Sequence, residues 1–308
     1  MKKLLSIMLL LSLLFSMAAC QKDESDVPTP QEPTNVGYVP YQMYYFATLS
    51  LYDEFPLPEK CLDDFSKYNF NFYGTGYIRE TAQSFPSFVL SMNGADYSCQ
   101  PAPHDGIDYH LYTTGLVPLQ LFSSRNGMYL IEVYVNNNDG SIVNISNPVC
   151  GPAETRELNM KEREALVENF IKTLAPDVDL SAYSLNVTDY DRIFSYEKRC
   201  GGLLTSDFIK VTITDMGGIR SYCRGESIDM DRLLEIGVDR ERIEQVIDAY
   251  VTQVSSQYPE LSLRKIIWDD FRIITLEDGT YAVCGTLEFY LSTSHKCPQV
   301  GILIPIGK

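Results

Sequence analysis

Histidine is the side chain that moves protons most readily near neutral pH. This chain of 308 residues has three: His104, His110 and His295. Any Ser-His-Asp or Cys-His site must draw on one of them. The sequence contains no Gly-x-Ser-x-Gly elbow and no His-Glu-x-x-His. Two of the histidines share the segment "PHDGIDYH" (103–110), which gathers His104, Asp105, Asp108 and His110. All four are metal-capable types. A metal-dependent hydrolase is the chemical reading, and a polar loop turning at Asp105-Gly106 is the plainer one, which we take. "SHKC" (294–297) sets His295 and Cys297 at alternate positions, but the following Pro298 favours a loop. Asp269 and Asp270 point to opposite faces of any strand, so they make a poor acid/base pair. "NNNDGS" invites a calcium reading, yet Val135 falls where a first oxygen ligand is needed and Ser146 where a glutamate is needed. No catalytic set emerges. The expectation is a non-enzyme with no cofactor and no metal, His104, Asp105, Asp108 and His110 being the weak metal candidates.

The strongest chemical signal is at the other end. Lys2 and Lys3 precede the apolar run "LLSIMLLLSLLFSMAA", which closes on Cys20. Charged, then apolar, then small is the layout of an export signal, and the run is short for a spanning helix. "MAAC" resembles the lipobox of bacterial lipoproteins, with Met17 where leucine is usual. The resemblance implies that residues 1–19 are a signal peptide and that Cys20 is lipidated, fixing the chain to a membrane. The polar, proline-rich "QKDESDVPTPQEPTNVGYVP" that follows offers nothing to bury. Residues 20–40 therefore read as the lipidated cysteine and a disordered stalk.

Composition narrows the rest. The formal net charge is −16, and removal of residues 1–19 takes away two lysines and no acid. An acidic surface excludes nucleic acid as a partner, since that binding rests on cation–phosphate contacts. A hydrophobic content of 45% is that of a globular chain, and residues 41–308 suffice for two domains. Eight cysteines are present. With Cys20 on the anchor, Cys61, Cys99, Cys150, Cys200, Cys223, Cys284 and Cys297 remain, an odd set with no Cys-x-x-Cys. Two or three disulfides and a fully reduced set both stay open.

The elements follow from pattern. Residues 41–155 form a β-rich domain: "YQMYYFATLSLY" is aromatic and strand-favouring, and Asp139-Gly140 turns a hairpin between "LIEVYV" and "IVNIS". Asn159 and Glu162 make a capping box for a helix whose stripe is Leu166, Val167, Phe170, Ile171 and Leu174, stopped by Pro176. Strand-like segments follow, with "MGG" turning a hairpin. Asp239 then caps a second helix with the stripe Ile243, Val246, Ile247, Tyr250, Val251 and Val254, followed by three more strand-like segments, "EDG" turning the first pair. The order helix then three strands occurs twice. A shift of 80 superposes the caps and stripes, so 156–308 is either one module or two αβββ repeats, 156–225 and 226–308. The fold class expected is α+β: a β-rich N-terminal domain, then helices lying on antiparallel sheet.

"SYEKRCGGLLTSDFIKVTITDMGGIRSY" (195–222) resembles the PepSY-like domains of exported Gram-positive proteins. The shared pattern is a tyrosine-bearing strand, a glycine turn, a V-x-I strand, a glycine hairpin and an I-x-S-Y return. "IDMDRLLEIGVDRERIEQVIDAYV", taken as a helix, and "ITLEDGTYAVCGTLEFYL" look like the tail of such proteins. The likeness covers 156–308. It implies a helix-on-sheet module at the cell envelope, associated with protease regulation or protein contact, and it carries no catalytic residues.

The expected function is thus an extracytoplasmic lipoprotein at the outer face of the bacterial cell envelope, on either membrane, that binds an unidentified protein or peptide. A glycan-binding surface lipoprotein is the alternative. It would use the tyrosines Tyr38, Tyr41, Tyr44, Tyr45, Tyr52, Tyr68, Tyr73 and Tyr77 as an exposed face. Cys20→Ala is expected to abolish labelling by an alkynyl fatty acid and to move the chain from the detergent to the aqueous phase in Triton X-114 partition. A variant that stays labelled and detergent-bound would refute the anchor.

Overall fold

A single row of apolar side chains explains most of the architecture. Phe122, Val133, Ile145, Tyr222, Val211, Phe194 and Val187 are consecutive partners across seven strands. All but Val187 are buried, and all seven belong to or pack on one core. The neighbouring row, Leu121, Tyr134, Asn144, Cys223, Lys210, Ser195 and Asn186, points the other way and is largely polar, as the period of two requires.

The structure is a computed structural model. It describes residues 46–48, 75–78, 85–102, 106–110, 115–126, 129–147, 156–190, 192–266, 271–292 and 299–307, all within the compact unit 34–308. The described chain is mixed α+β: three helices and much sheet. The strands are β1 (Phe46–Thr48), β2 (Thr75–Ile78), β3 (Phe88–Met92), β4 (Ala95–Pro101), β5 (Ile107–His110), β6 (Leu119–Asn126), β7 (Tyr129–Asn136), β8 (Ile142–Ser146), β9 (Ser184–Thr188), β10 (Ile193–Cys200), β11 (Leu203–Ile213), β12 (Ile219–Arg224), β13 (Leu261–Ile266), β14 (Arg272–Thr275), β15 (Tyr281–Leu291) and β16 (Gln299–Gly307). The helices are α1 (Met160–Leu174), α2 (Met230–Ile236) and α3 (Arg240–Gln257). The main path runs β1-β16-β15-β14-β11-β12-β8-β7-β6-β4-β3.

Local signals act as expected. Asn159 accepts from the Glu162 backbone and Glu162 returns the bond to Asn159, a complete capping box on α1. Such a cap is worth about 1 kcal/mol. Asp239 caps α3. Val167 and Ile171 are buried on α1, with Leu166, Phe170 and Leu174 packed beside them. On α3, Ile243, Val246, Ile247, Tyr250 and Val254 are buried. Gly140 (φ 79°) turns β7 into β8, and its N–H donates to the Asn136 carbonyl. The "MGG" and "EDG" turns close the β11–β12 and β14–β15 hairpins.

Three details depart from expectation. The stretch read as one helix from Ile228 breaks at Gly237 (φ 75°), giving α2 and α3. "YSLNVTDYDRIFSYEKR" is the hairpin β9–β10, turned at Asp189 and Tyr190, both non-glycine residues at positive φ. The two helix-led stretches also differ in their first strand, since β9 pairs with β10 whereas β13 lies along β15.

The regions 41–155 and 156–308 meet in one sheet, because β8 pairs with β12. A first core joins β3, β4, β6–β8, α1 and β10–β12; a second joins α2, α3 and β13–β16. β11 belongs to both. Leu203 lies in the second core, and Ile209, Val211 and Ile213 lie in the first. One edge of β11 holds β14 at Leu204 and Thr205, parallel, and then β12 from Ile209 onward, antiparallel. Between these contacts Thr205, Ser206 and Asp207 are buried. Buried polar groups need partners. Asp207 accepts from Lys198 Nζ at 2.8 Å and from Tyr183 OH at 2.5 Å, and Lys198 lies over the Tyr183 ring. Arg272 donates to the Thr205 carbonyl at 3.3 Å and stacks on Phe208. Gly225 stands where a Cβ would meet the Ser206 carbonyl oxygen at 1.8 Å.

Removing one partner of such a pair strands the other charge. Asp207→Ala is expected to lower stability by about 3–5 kcal/mol, read from the urea midpoint. The double variant Lys198→Met/Asp207→Leu should recover most of that loss. An unchanged midpoint in the single variant would show that the pair is not structural.

Candidate functional site

The feature that positions the site is a ribbon leaving the sheet. β4 pairs with β6 only at Gln100–Ser123 and Pro101–Phe122, while from Ala95 to Cys99 it pairs with β3 alone. The β3–β4 ribbon turns at Asn93 and Gly94, both at positive φ. Leu90, Met92, Tyr97 and Cys99 on its inner side share the first core with Phe122, Ile131, Ile219 and Tyr222. At its tip the Asn93 amide donates to the Ile219 carbonyl at 3.0 Å and accepts from the Ile219 N–H at 2.7 Å. Ile219 is on β12, and β7 and β8 lie between it and β6 in the sheet. The ribbon therefore crosses the apolar face and covers it together with α1.

A strand that folds away leaves its neighbour's edge bare. The next pairs in the ladder would be Cys99 with Ser124 and then Ser98 with Arg125, and neither forms. In its place is an open groove of about 650 Å³, lined by Asp96, Ser98, Gln100, Ser123, Ser124, Arg125 and Leu130. That volume is in the range of ligand sites. Asp96 accepts from Ser91 Oγ at 2.6 Å, and Gln100 donates to Ser98 Oγ at 3.2 Å. Leu130 is 36% exposed and supplies an apolar wall. The arrangement can hydrogen-bond a main chain and hold charge, and among its described residues there is no nucleophile–base pair.

The residues singled out from sequence fall elsewhere. The segment read as a polar loop is a strand over Ile107–His110, paired with β2 and burying Ile107 and Tyr109, so Asp108 and His110 stand two apart on β5. The His110 ring meets Tyr134 at 4.6 Å between centroids, and burial lowers its pKa to about 4. Burial first, then Asp108 and Glu132, raise the Tyr134 phenol to about 12. His104 and Asp105 lie outside the described residues, and among those described no three His, Cys, Asp or Glu converge on a metal position. Cys20, His295, Cys297, Asp269, Asp270 and the tyrosines from Tyr38 to Tyr73 also lie outside, and of Tyr77 on β2 only the backbone is described. Cys99, Cys200, Cys223 and Cys284 are free thiols. Three disulfides are thereby excluded, since Cys20, Cys61, Cys150 and Cys297 alone remain, all outside the described residues. Burial raises all four thiols, Cys99 and Cys223 to about 11, so they are poor nucleophiles near neutrality. The groove residues belong to no motif. Their one trace is "SSRN", polar sequence closing the otherwise apolar strand β6.

No family model matches the chain, and no curated protein matches it. Among solved structures, the YpeB C-terminal domain of Bacillus megaterium is similar at 8% identity over 72% of this chain and 90% of that one, with a TM-score of 0.28. At that score the likeness assigns no fold.

One carboxyl near the junction gives a pH signature. Glu226 lies between β12 and α2, and its Oε2 is buried without a hydrogen-bond partner. A Cβ on Gly115 would sit 3.0 Å from that oxygen. Burial pushes its pKa up from 4.5 to about 7. A raised folded-state value means that stability is full below about pH 4.5 and falls as pH rises through 7. Glu226→Gln is expected to be more stable than the parent at pH 8 and to match it at pH 4, read from urea midpoints across pH. Equal midpoints at both pH values would contradict the buried carboxyl.

Proposed function

We propose that this chain is an extracytoplasmic lipoprotein, held on a membrane through Cys20, whose folded part binds an extended segment of a protein or peptide. The observation that carries the binding reading is the lost ladder between β4 and β6. Unpaired strand edges in a groove give main-chain hydrogen bonds to an added strand, and side chains around them give selectivity. Support for the location comes from the charged, apolar and small-residue order before Cys20 and from the polar stalk after it. Residues 156–308 are read as PepSY-like modules, in keeping with helices on mainly antiparallel strands over β10–β12 and β13–β16. That reading points to contact or regulation, not to turnover.

The test uses the mature chain with Cys20→Ser, exposed to a displayed library of random dodecapeptides. Extended sequences are expected to enrich on this protein and to be lost on Ser123→Trp, which fills the groove from a half-exposed position. No enrichment, or equal enrichment on the filled variant, would overturn the reading.

A further inference from the structure

We infer that the β4/β6 groove selects an extended segment carrying an acidic side chain for Arg125 and a basic side chain, two residues away, for Asp96. The inference rests on the peptide-binding reading and names the chemistry of its partner.

Arg125 stands out by what it does not touch. The chain has 41 acidic against 25 basic residues, and most described arginines are held by a carboxylate. Arg192 is paired with Asp215, Arg224 with Asp177 and Arg264 with Glu288. The Arg125 guanidinium, like that of Arg220, makes no hydrogen bond or ion pair among the described residues, and it lines a groove of this acidic protein. The hydroxyls of Ser123 and Ser124 beside it are likewise without partners there. The Arg125 guanidinium and the Ser123 hydroxyl, two apart on one face of β6, and the bare strand edge beside them form a set of donors facing one space. Such a set suits a carboxylate, which accepts two parallel N–H bonds from arginine and takes further donors on its remaining lone pairs.

Among the described residues Asp96 is the only carboxylate lining the groove. A continued ladder would place Arg125 opposite Ser98, so Asp96 lies two residues along β4, about 7 Å at strand rise. An inserted strand directs alternate side chains to one face. Its acidic and basic residues therefore belong at positions i and i+2, and the order of the two charges sets the strand's direction in the groove. Ser98 at the Arg125 position and Gln100 beyond it offer only uncharged polar atoms. A peptide with the charges swapped would meet Asp96 with its own acid, and like charges at close range are the repulsive half of specificity.

The experiment is an array of immobilised hexapeptides on one Thr/Val background, bearing Glu-x-Lys, Lys-x-Glu, Gln-x-Gln or Glu-x-Glu. It is probed with the mature Cys20→Ser chain. One of the two mixed-charge orders is expected to bind best. Arg125→Glu is expected to weaken that peptide roughly tenfold, as loss of a hydrogen bond to a charged group implies. The charge swap Asp96→Arg/Arg125→Glu should transfer the preference to the opposite order. Arg125 is exposed, so its variants should keep the parent's urea midpoint. Binding of all four peptides alike, unchanged in Arg125→Glu, would overturn the charge rule and leave the groove reading intact. Binding of none would overturn both.

Discussion

The Lys198–Asp207 pair is the interaction on which the architecture turns. β11 runs from one apolar core into the other, and both its faces are covered at the crossing. An ordinary strand of alternating character cannot do this, because one of its faces would meet solvent. At the crossing the chain places Thr205, Ser206 and Asp207, whose polar atoms are taken up by neighbours rather than by water. Asp207 binds Lys198 and Tyr183, Thr205 binds the Lys198 carbonyl, and Ser206 binds the Glu226 carbonyl. The bulge of β10 between Glu197 and Arg199 brings Lys198 to this point. A buried pair of this kind adds less stability than its Coulomb energy suggests, and its effect lies in how costly it is to break.

The same economy of edges shapes the other end of the sheet. The apolar face spanning β6 to β10 is wider than α1 alone can cover. The β3–β4 ribbon closes the remainder by folding over it, and the Asn93 amide ties its tip to β12. The consequence is local: β4 cannot both cover the face and stay in the ladder. The groove between β4 and β6 is therefore a by-product of core closure, and it is lined by residues the core did not need. That is why its lining is polar, loosely partnered and free to serve recognition.

Much of this was legible beforehand. The capping box at Asn159 and Glu162, the stripes of α1 and α3, and the turns at Gly140, Gly217 and Gly279 depend on neighbours within a few residues, so spacing alone reveals them. The break at Gly237 was equally local, yet the helical periodicity on either side masked it. The turn at Asp189 and Tyr190 escaped because two non-glycine residues adopt positive φ there, which is uncommon. The groove left almost no trace, since Asp96 and Arg125 come from strands that meet only through the ladder.

What the sequence by itself determined is the content and character of the elements: capped amphipathic helices, glycine-turned strands, an acidic chain, and a cysteine placed at the end of an export-like leader. Each of these is short-range, written in residue types and their period. Only the tertiary structure decided that β8 would pair with β12, that β11 would serve two cores, and that the ribbon would leave the sheet and open an edge beside Arg125. These follow from which apolar faces must be covered and how far each strand reaches, and such long-range accounts can be read only once the chain has folded.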